Sequence, residues 1–286
     1  MRSIKKAGIV CCSDGLDPGS KAQTDELIRV LADCGIQAVC GPYLYARDGV
    51  FSGTAHQRAG QLNDFFADDS IDAIFDISGG DLANQILPFL NWPVIMASRA
   101  QLWGYSDLTC VLNAIYARTG RQGVLYSVRN LIRSDHAAQQ CRFAGFNALS
   151  CAELLNIQPR FLRGSAVSGT VVGGNIRCLL KLAGTPCFPD LTGKLLLLEA
   201  RSGRVPQITA YFSQLAQLGA FEQVSGVLLG TFSQMEEEQL HPTIEELALR
   251  FIPGRLPVLK TDLIGHGADS RAIVLGSPFS FDESMT

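Results

Sequence analysis

The stretch Gln101-Leu102-Trp103-Gly104-Tyr105-Ser106-Asp107-Leu108-Thr109 runs from apolar residues through a glycine to a single serine, and a helical pattern begins just beyond it. Residues 110–117 carry apolar positions that line one side of a helix, and Gly120 stands where that helix stops. A strand that turns sharply into a helix lifts a hydroxyl out of the sheet and aims the following backbone N–H groups at the same point, the geometry of a nucleophile elbow. Gly104 supplies the room such a turn needs. On this reading Ser106 is a nucleophile; the plainer alternative is a serine that only caps a helix. Residues 93–97 also have strand character, but the elbow needs its strand directly before it, so the pattern predicts a strand at 101–103.

Working outward, residues 7–12 are a short apolar run of buried-strand type, and 13–19 are rich in turn formers. Leu27, Ile28 and Leu31 give 21–34 helical spacing, Gly35 stops it, and 37–40 resumes as strand, a β-α-β unit. Residues 54–68 read as a second helix, with Ala55, Ala59, Leu62 and Phe66 on one side; 71–77 read as a strand and 82–90 as a helix. This alternation predicts an α/β protein with a parallel, doubly wound sheet whose ligands bind at the carboxyl ends of its strands. Ser78-Gly79-Gly80-Asp81 lies at one such end. Its N–H groups are candidates to face an anion or oxyanion, the alternative being an ordinary tight turn.

The pattern loosens over 122–135, and 137–156 is helical enough to bridge two domains. The second half opens on a glycine-dense stretch at 168–175, followed by a short helix pattern at 176–182 broken by Gly184-Thr185-Pro186. A continuous apolar strand at 194–199 ends in a carboxylate. A helix at 206–218, a strand at 224–230 and a helix at 243–251 follow, and 257–260 runs into Gly265-His266-Gly267.

With 286 residues and 47% hydrophobic composition, the chain is long enough for two packed domains. A net charge of −3 without a basic run of five gives no footprint for nucleic acid or an anionic membrane. No apolar run of eighteen residues is present, and the start has no small-residue cleavage site, so a cytoplasmic location is expected. The nine cysteines are irregularly spaced and odd in number, which fits reduced core residues. No His/Cys/Asp cluster has metal-ligand spacing, and no Gly-x-Gly-x-x-Gly follows the first strand, so neither a metal nor a dinucleotide cofactor is expected.

Ser106, Glu199 and His266 each sit where an apolar strand gives way to a loop. A serine hydroxyl needs a base to take its proton and a carboxylate to hold that base's tautomer, and these three residue types supply all the parts. Of the four histidines, His56, His136 and His241 fall on polar helix faces or a helix start and suit solvated roles; His266 has glycines on both sides that clear space around its ring. Gly-His-Gly as a simple turn and Glu199 as an exposed strand end are the alternatives.

Taken together, Gly-Tyr-Ser-Asp-Leu-Thr at 104–109, Gly79-Gly80, Gly173-Gly174-Asn175, Gly184-Thr185-Pro186 with Pro189-Asp190, the strand ending at Glu199, and Gly265-His266 resemble the LD-carboxypeptidase family of serine peptidases, which includes murein tetrapeptide carboxypeptidases and microcin-immunity peptidases. The resemblance implies Ser106 as nucleophile, His266 as general base and Glu199 as its orienting acid, with the backbone N–H groups of Gly80 and Asp107 as oxyanion hole. It implies an N-terminal flavodoxin-like domain over 1–135, a linker over 136–165 and a C-terminal β-rich α/β domain over 166–286, with a homodimer as the assembly and no cofactor. The implied substrate is a small peptide, a muropeptide losing a C-terminal D-alanine or a peptidyl-nucleotide; a silent muropeptide-binding protein is the non-enzymatic rival. Gly79, Asp81, Arg201 and Arg204 are candidates for substrate contact. The Ser78-Gly79-Gly80-Asp81 turn followed by residues 84–90 is closer to the microcin-immunity branch than to the Arg-Gly-Gly-Tyr turn of the murein branch.

Overall fold

The computed structural model describes residues 3–134 and 136–285. Asp135, where the first expected domain boundary falls, lies outside them, as do the terminal Met1, Arg2 and Thr286.

Strand β1 (Lys6–Val10), helix α1 (Lys21–Asp33) and strand β2 (Gln37–Cys40) form the expected opening unit. Helix α2 (Ala55–Ala67) starts at a capping box: Thr54 Oγ1 accepts from the Gln57 N–H, and the Gln57 side chain accepts from the Thr54 N–H. Strand β3 (Ala73–Asp76), helix α3 (Trp92–Ala97), strand β4 (Gln101–Gly104) and helix α4 (Thr109–Thr119) follow. Residues 93–97 are helical because Asn91 caps α3 and Pro93 sits in its first turn, where the missing N–H is no loss. The helix expected over 82–90 is a 3-10 helix at Ala83–Phe89, with Pro88 inside it unable to donate to an α-helical ladder.

Strand β5 (Gly123–Leu125) is too short to show a period in the sequence, but it completes a parallel run in the order β2-β1-β3-β4-β5. That order is the flavodoxin-like winding, with its switch point between β1 and β3. Helix α5 (His136–Asn147) is shorter than the pattern over 137–156 predicts, because Leu149 takes a left-handed conformation (φ 57°) and a 3-10 turn at Glu153–Leu155 follows.

The remaining elements are β6 (Arg160–Arg163), β7 (Ala166–Asn175), α6 (Ile176–Leu180), β8 (Lys194–Ala200), α7 (Val205–Gln217), α8 (Ala220–Gln223), β9 (Gly226–Phe232), α9 (Ser233–Glu237), α10 (Ile244–Phe251), β10 (Val258–Lys260), β11 (Ile273–Leu275) and β12 (Pro278–Asp282). The second sheet has the order β12-β7-β8-β9-β10-β6, parallel in its four central strands and antiparallel at both edges. Strand β11 instead pairs antiparallel with β5 at the edge of the first sheet. Late residues of the chain therefore serve both sheets. The glycine-dense 168–175 is part of the long strand β7, in register with β8 from Thr170↔Lys194 to Asn175↔Glu199. Its glycines let the backbone lie against α4, where the Asn113 side chain donates to the Gly173 carbonyl and accepts from the Gly173 N–H, each at 2.8 Å.

Helix α4 is the hub. All of residues 109–115 are buried, and its apolar side chains join one core with Leu102 and Leu125 of the first sheet and Val171, Leu195 and Leu197 of the second. A helix apolar on every side sits between layers, and each such side chain contributes about 1.5–3 kcal/mol by leaving water. The outer face of the first sheet is covered by Leu27 and Leu31 of α1 and Phe143 and Phe146 of α5. The outer face of the second is covered by Ile208 and Phe212 of α7 and Leu247 of α10. All nine cysteines are free; Cys11, Cys12, Cys110, Cys178 and Cys187 are buried, whereas Cys40, Cys141 and Cys151 are exposed. Among the described residues no helix is long and apolar enough to cross a membrane.

Candidate active site

The residue after β4, Tyr105, is extended; Ser106 has φ 56° and opens a 3-10 turn, Ser106–Leu108, that leads directly into α4. A non-glycine residue in the left-handed region costs about 1–2 kcal/mol, and the buried hub around it holds that strain in place. Ser106 does not cap α4: the N-cap is Leu108, and no side-chain cap bond is made at either turn. A Cβ on Gly104 would sit 2.7 Å from Leu108 Cβ, so the turn closes only around a glycine.

Glu199 lies at the carboxyl end of β8 and is fully buried, not an exposed strand end. Its Oε1 accepts from Asn175 Nδ2 at 3.0 Å, and its Oε2 lies 2.9 Å from Nδ1 of His266. The far nitrogen, Nε2, is buried and has no hydrogen-bond partner among the described residues. No hydrogen bond yet joins it to Ser106, as is common before substrate fills a site. The Tyr105 ring meets the imidazole edge to face at 5.0 Å. Burial, and after it the charge of Glu199, push the Tyr105 phenol well above its usual range. Gly265 places the histidine: a Cβ there would collide with Oγ1 and Cβ of Thr231 on β9. Gly265→Ala is therefore expected to lower stability by about 2–3 kcal/mol and to displace His266, read as a fall in melting temperature together with lost serine reactivity.

The other candidate donors come from the switch point. Gly80 has φ +119°, and a Cβ on it would strike the Asp14 carboxylate, so the turn requires glycine. Asp14 braces this turn by donating its N–H to the Gly79 carbonyl (3.1 Å) and accepting from the Asp81 N–H (3.0 Å). Burial, and after it the charge of Asp107, raise the Asp14 carboxyl above its usual range. Among the described residues neither the Gly80 nor the Asp107 N–H has an acceptor. The Asp107 side chain is a fully buried anchor: its Oδ2 accepts from Ser13 Oγ (2.6 Å) and the Ala83 N–H (2.8 Å), and its Oδ1 from Lys181 Nζ (2.5 Å).

Ser106, His266 and the Gly79–Gly80 turn line one cavity of about 220 Å³, together with Tyr105, Arg129, Arg133 and Arg201. Partial desolvation, and after it the guanidiniums of Arg129 and Arg201, lower the pKa of Arg133. Among the described residues no carboxylate pairs with any of the three. Three guanidiniums therefore line this one cavity. Of the two arginines expected at the site, Arg201 lines the cavity. Arg204 does not: it is exposed, turned outward into a bidentate pair with Glu238 (2.7 and 3.1 Å), and takes no part in the lining. Asp81 is likewise engaged away from the cavity, paired with Arg177 and Lys181. His56, His136 and His241 are exposed, as expected.

Sequence reasoning quoted Asn175 as part of a motif without giving it a role, and missed Arg177, Lys181, Arg129 and Arg133. Arg129 and Arg133 fall where periodicity fades, in a 3-10 turn at Val128–Ile132. The i, i+4 spacing of Arg177 and Lys181 on one helical face was the available signal for that pair.

Residues 7–127 match the model of the LD-carboxypeptidase N-terminal domain, and residues 168–281 that of the LD-carboxypeptidase C-terminal domain. A probable murein peptide carboxypeptidase of Bacillus subtilis is 25% identical over 285 residues, covering 96% of this chain and 89% of that one. The microcin C7 self-immunity protein MccF of Escherichia coli is 26% identical, covering 89% of this chain and 84% of that one. In structure, MccF in complex with aspartyl sulfamoyl adenosine superposes with a TM-score of 0.87 at 21% identity, covering 100% of this chain and 95% of that one.

Proposed function

The chain belongs to the LD-carboxypeptidase family, and we propose that it is a serine carboxypeptidase that hydrolyses an L,D-peptide bond and releases the C-terminal D-alanine of a murein tetrapeptide. The observation that carries this reading is the union, in one small cavity, of a strained serine, a histidine backed by a buried glutamate, and three guanidiniums. Ser106 Oγ attacks the scissile carbonyl while His266 Nε2 takes its proton, and Glu199 stabilises the imidazolium that forms. The N–H groups of Gly80 and Asp107 hold the oxyanion. The proton passes from His266 to the leaving amine, D-alanine departs, and water repeats the sequence in reverse on the acyl-enzyme. Arg133 and Arg201 hold the terminal carboxylate, which makes the enzyme an exopeptidase. The same reading carries a cytoplasmic homodimer with the domain division 1–135, 136–165 and 166–286; light scattering tests the assembly.

The test is mass spectrometry of L-Ala-γ-D-Glu-meso-diaminopimelate-D-Ala and its C-terminal amide. Release of D-alanine from the free acid is expected, with kcat/KM about 10- to 100-fold lower for the amide and that difference narrowed by Arg133→Met. An intact tetrapeptide sinks the murein assignment. The Ser78–Asp81 turn and the likeness to MccF favour a second reading, a peptidase that cleaves a peptidyl-nucleotide; hydrolysis of an aspartyl-nucleotide amide in place of the tetrapeptide supports it.

A further inference from the structure

The two candidate oxyanion donors belong to segments that the chain does not join: Gly80 lies in the turn after β3, and Asp107 in the elbow after β4. Both are gripped from the other half of the molecule. Lys181, just past α6, directs its Nζ at Asp107 Oδ1 (2.5 Å), the Asp81 carbonyl (2.9 Å) and Asp81 Oδ1 (3.2 Å). An ammonium has three N–H donors, and three acceptors are waiting. One turn earlier, Arg177 pairs with Asp81 Oδ1 and donates to the Gly80 carbonyl (3.4 Å). Asp107 Oδ2 is held from its own half by Ser13 and Ala83, and Oδ1 is held from the other half by Lys181, where the Cys178 thiol also faces this carboxylate. The helix carrying these cations is itself tied to the catalytic acid. Its N-cap, Asn175, accepts from the Cys178 N–H, donates its side chain to Glu199, and gives its backbone N–H to Thr109 Oγ1 (3.0 Å) at the start of α4.

Resting on the carboxypeptidase reading, we infer that Lys181 and Arg177 are positioning residues that set the separation of the Gly80 and Asp107 N–H groups, so that docking of the second sheet onto the first completes the oxyanion hole. Neither cation touches substrate. Their effect falls on the transition state, where the oxyanion exists, and not on ground-state binding. Arginine cannot replace Lys181 fully, since a planar guanidinium does not reproduce three tetrahedral donors.

The experiment compares Lys181→Met, Lys181→Arg and Asp81→Asn with wild type for tetrapeptide kinetics and for inhibition by a peptide aldehyde, whose serine adduct carries the oxyanion. Lys181→Met is expected to lower kcat by about 10- to 100-fold, raise the aldehyde inhibition constant by the same factor, and leave KM within about 3-fold. Lys181→Arg is expected to fall between the two. A folded Lys181→Met with wild-type kcat overturns the inference. Should it not fold, because buried Asp107 loses its cation, Asp81→Asn decides. That exposed change keeps the Lys181–Asp107 pair and loosens only the turn; about a 5- to 10-fold lower kcat supports the clamp and an unchanged kcat overturns it. A wild type that neither releases D-alanine nor binds the aldehyde removes the peptidase reading and the clamp with it, whereas an active wild type with an indifferent Lys181→Met removes the clamp alone.

Discussion

Ser106→Ala is expected to lower the rate of D-alanine release by about 10⁴-fold or more, with the fold intact and KM little changed. The reason is that the hydroxyl is the only group lost. Alanine accepts the same backbone at the same strain, and Ser106 makes no cap bond whose removal would loosen α4. A companion variant separates chemistry from strain. Ser106→Gly is equally inactive, but it relieves the left-handed conformation at φ 56° and is expected to unfold at a higher temperature, by about 1 kcal/mol of added stability. Mass spectrometry of the tetrapeptide and a thermal melt read both effects. Residual turnover by Ser106→Ala within tenfold of wild type would end the nucleophile assignment, and a lower melting temperature for Ser106→Gly would end the strain argument.

Glu199→Gln is expected to cost about 10⁴-fold in kcat, again with KM nearly constant. Glutamine fills the same buried volume and can keep the bond from Asn175, so packing survives. What disappears is the charge of the carboxylate 2.9 Å from His266 Nδ1, which on the proposed mechanism holds the tautomer with Nε2 free to accept and steadies the imidazolium. Because a buried carboxylate is costly to desolvate, the melting temperature is expected to hold or rise despite the lost activity. Labelling with a fluorophosphonate should slow in parallel with kcat. A variant that labels at the wild-type rate would show that Glu199 does not serve the nucleophile.

Much of the fold is legible in the residues because local rules and burial agree there. Leu27 and Leu31 mark the inward face of α1, Thr54 and Gln57 write out a capping box, and the apolar runs at β1, β3 and β8 have nowhere to go but into a sheet. The glycine-dense 168–175 carries no strand signal because glycine weakens a strand locally; β7 forms there because Asn113 of α4 and the full register with β8 repay that weakness across the fold. Strand β11 was invisible for a related reason: three residues carry no period, and only the open edge of β5 gives them a partner.

The reactive groups on offer are written locally in the residues: one serine after a glycine-bounded strand, one carboxylate at a strand end, one histidine between glycines, and paired glycines at a switch point. Each is a property of a residue and its immediate neighbours. Which charges meet is settled only when the chain folds. Folding turned Arg204 to Glu238 on the surface while bringing Arg129, Arg133 and Arg201 into the cavity. It also set Lys181 against Asp107 across 74 residues of chain. Electrostatic contacts depend on distance in space and on burial, neither of which a one-dimensional pattern records, so the reactive groups can be read in order along the chain while the groups that orient them emerge only when the two sheets close around α4.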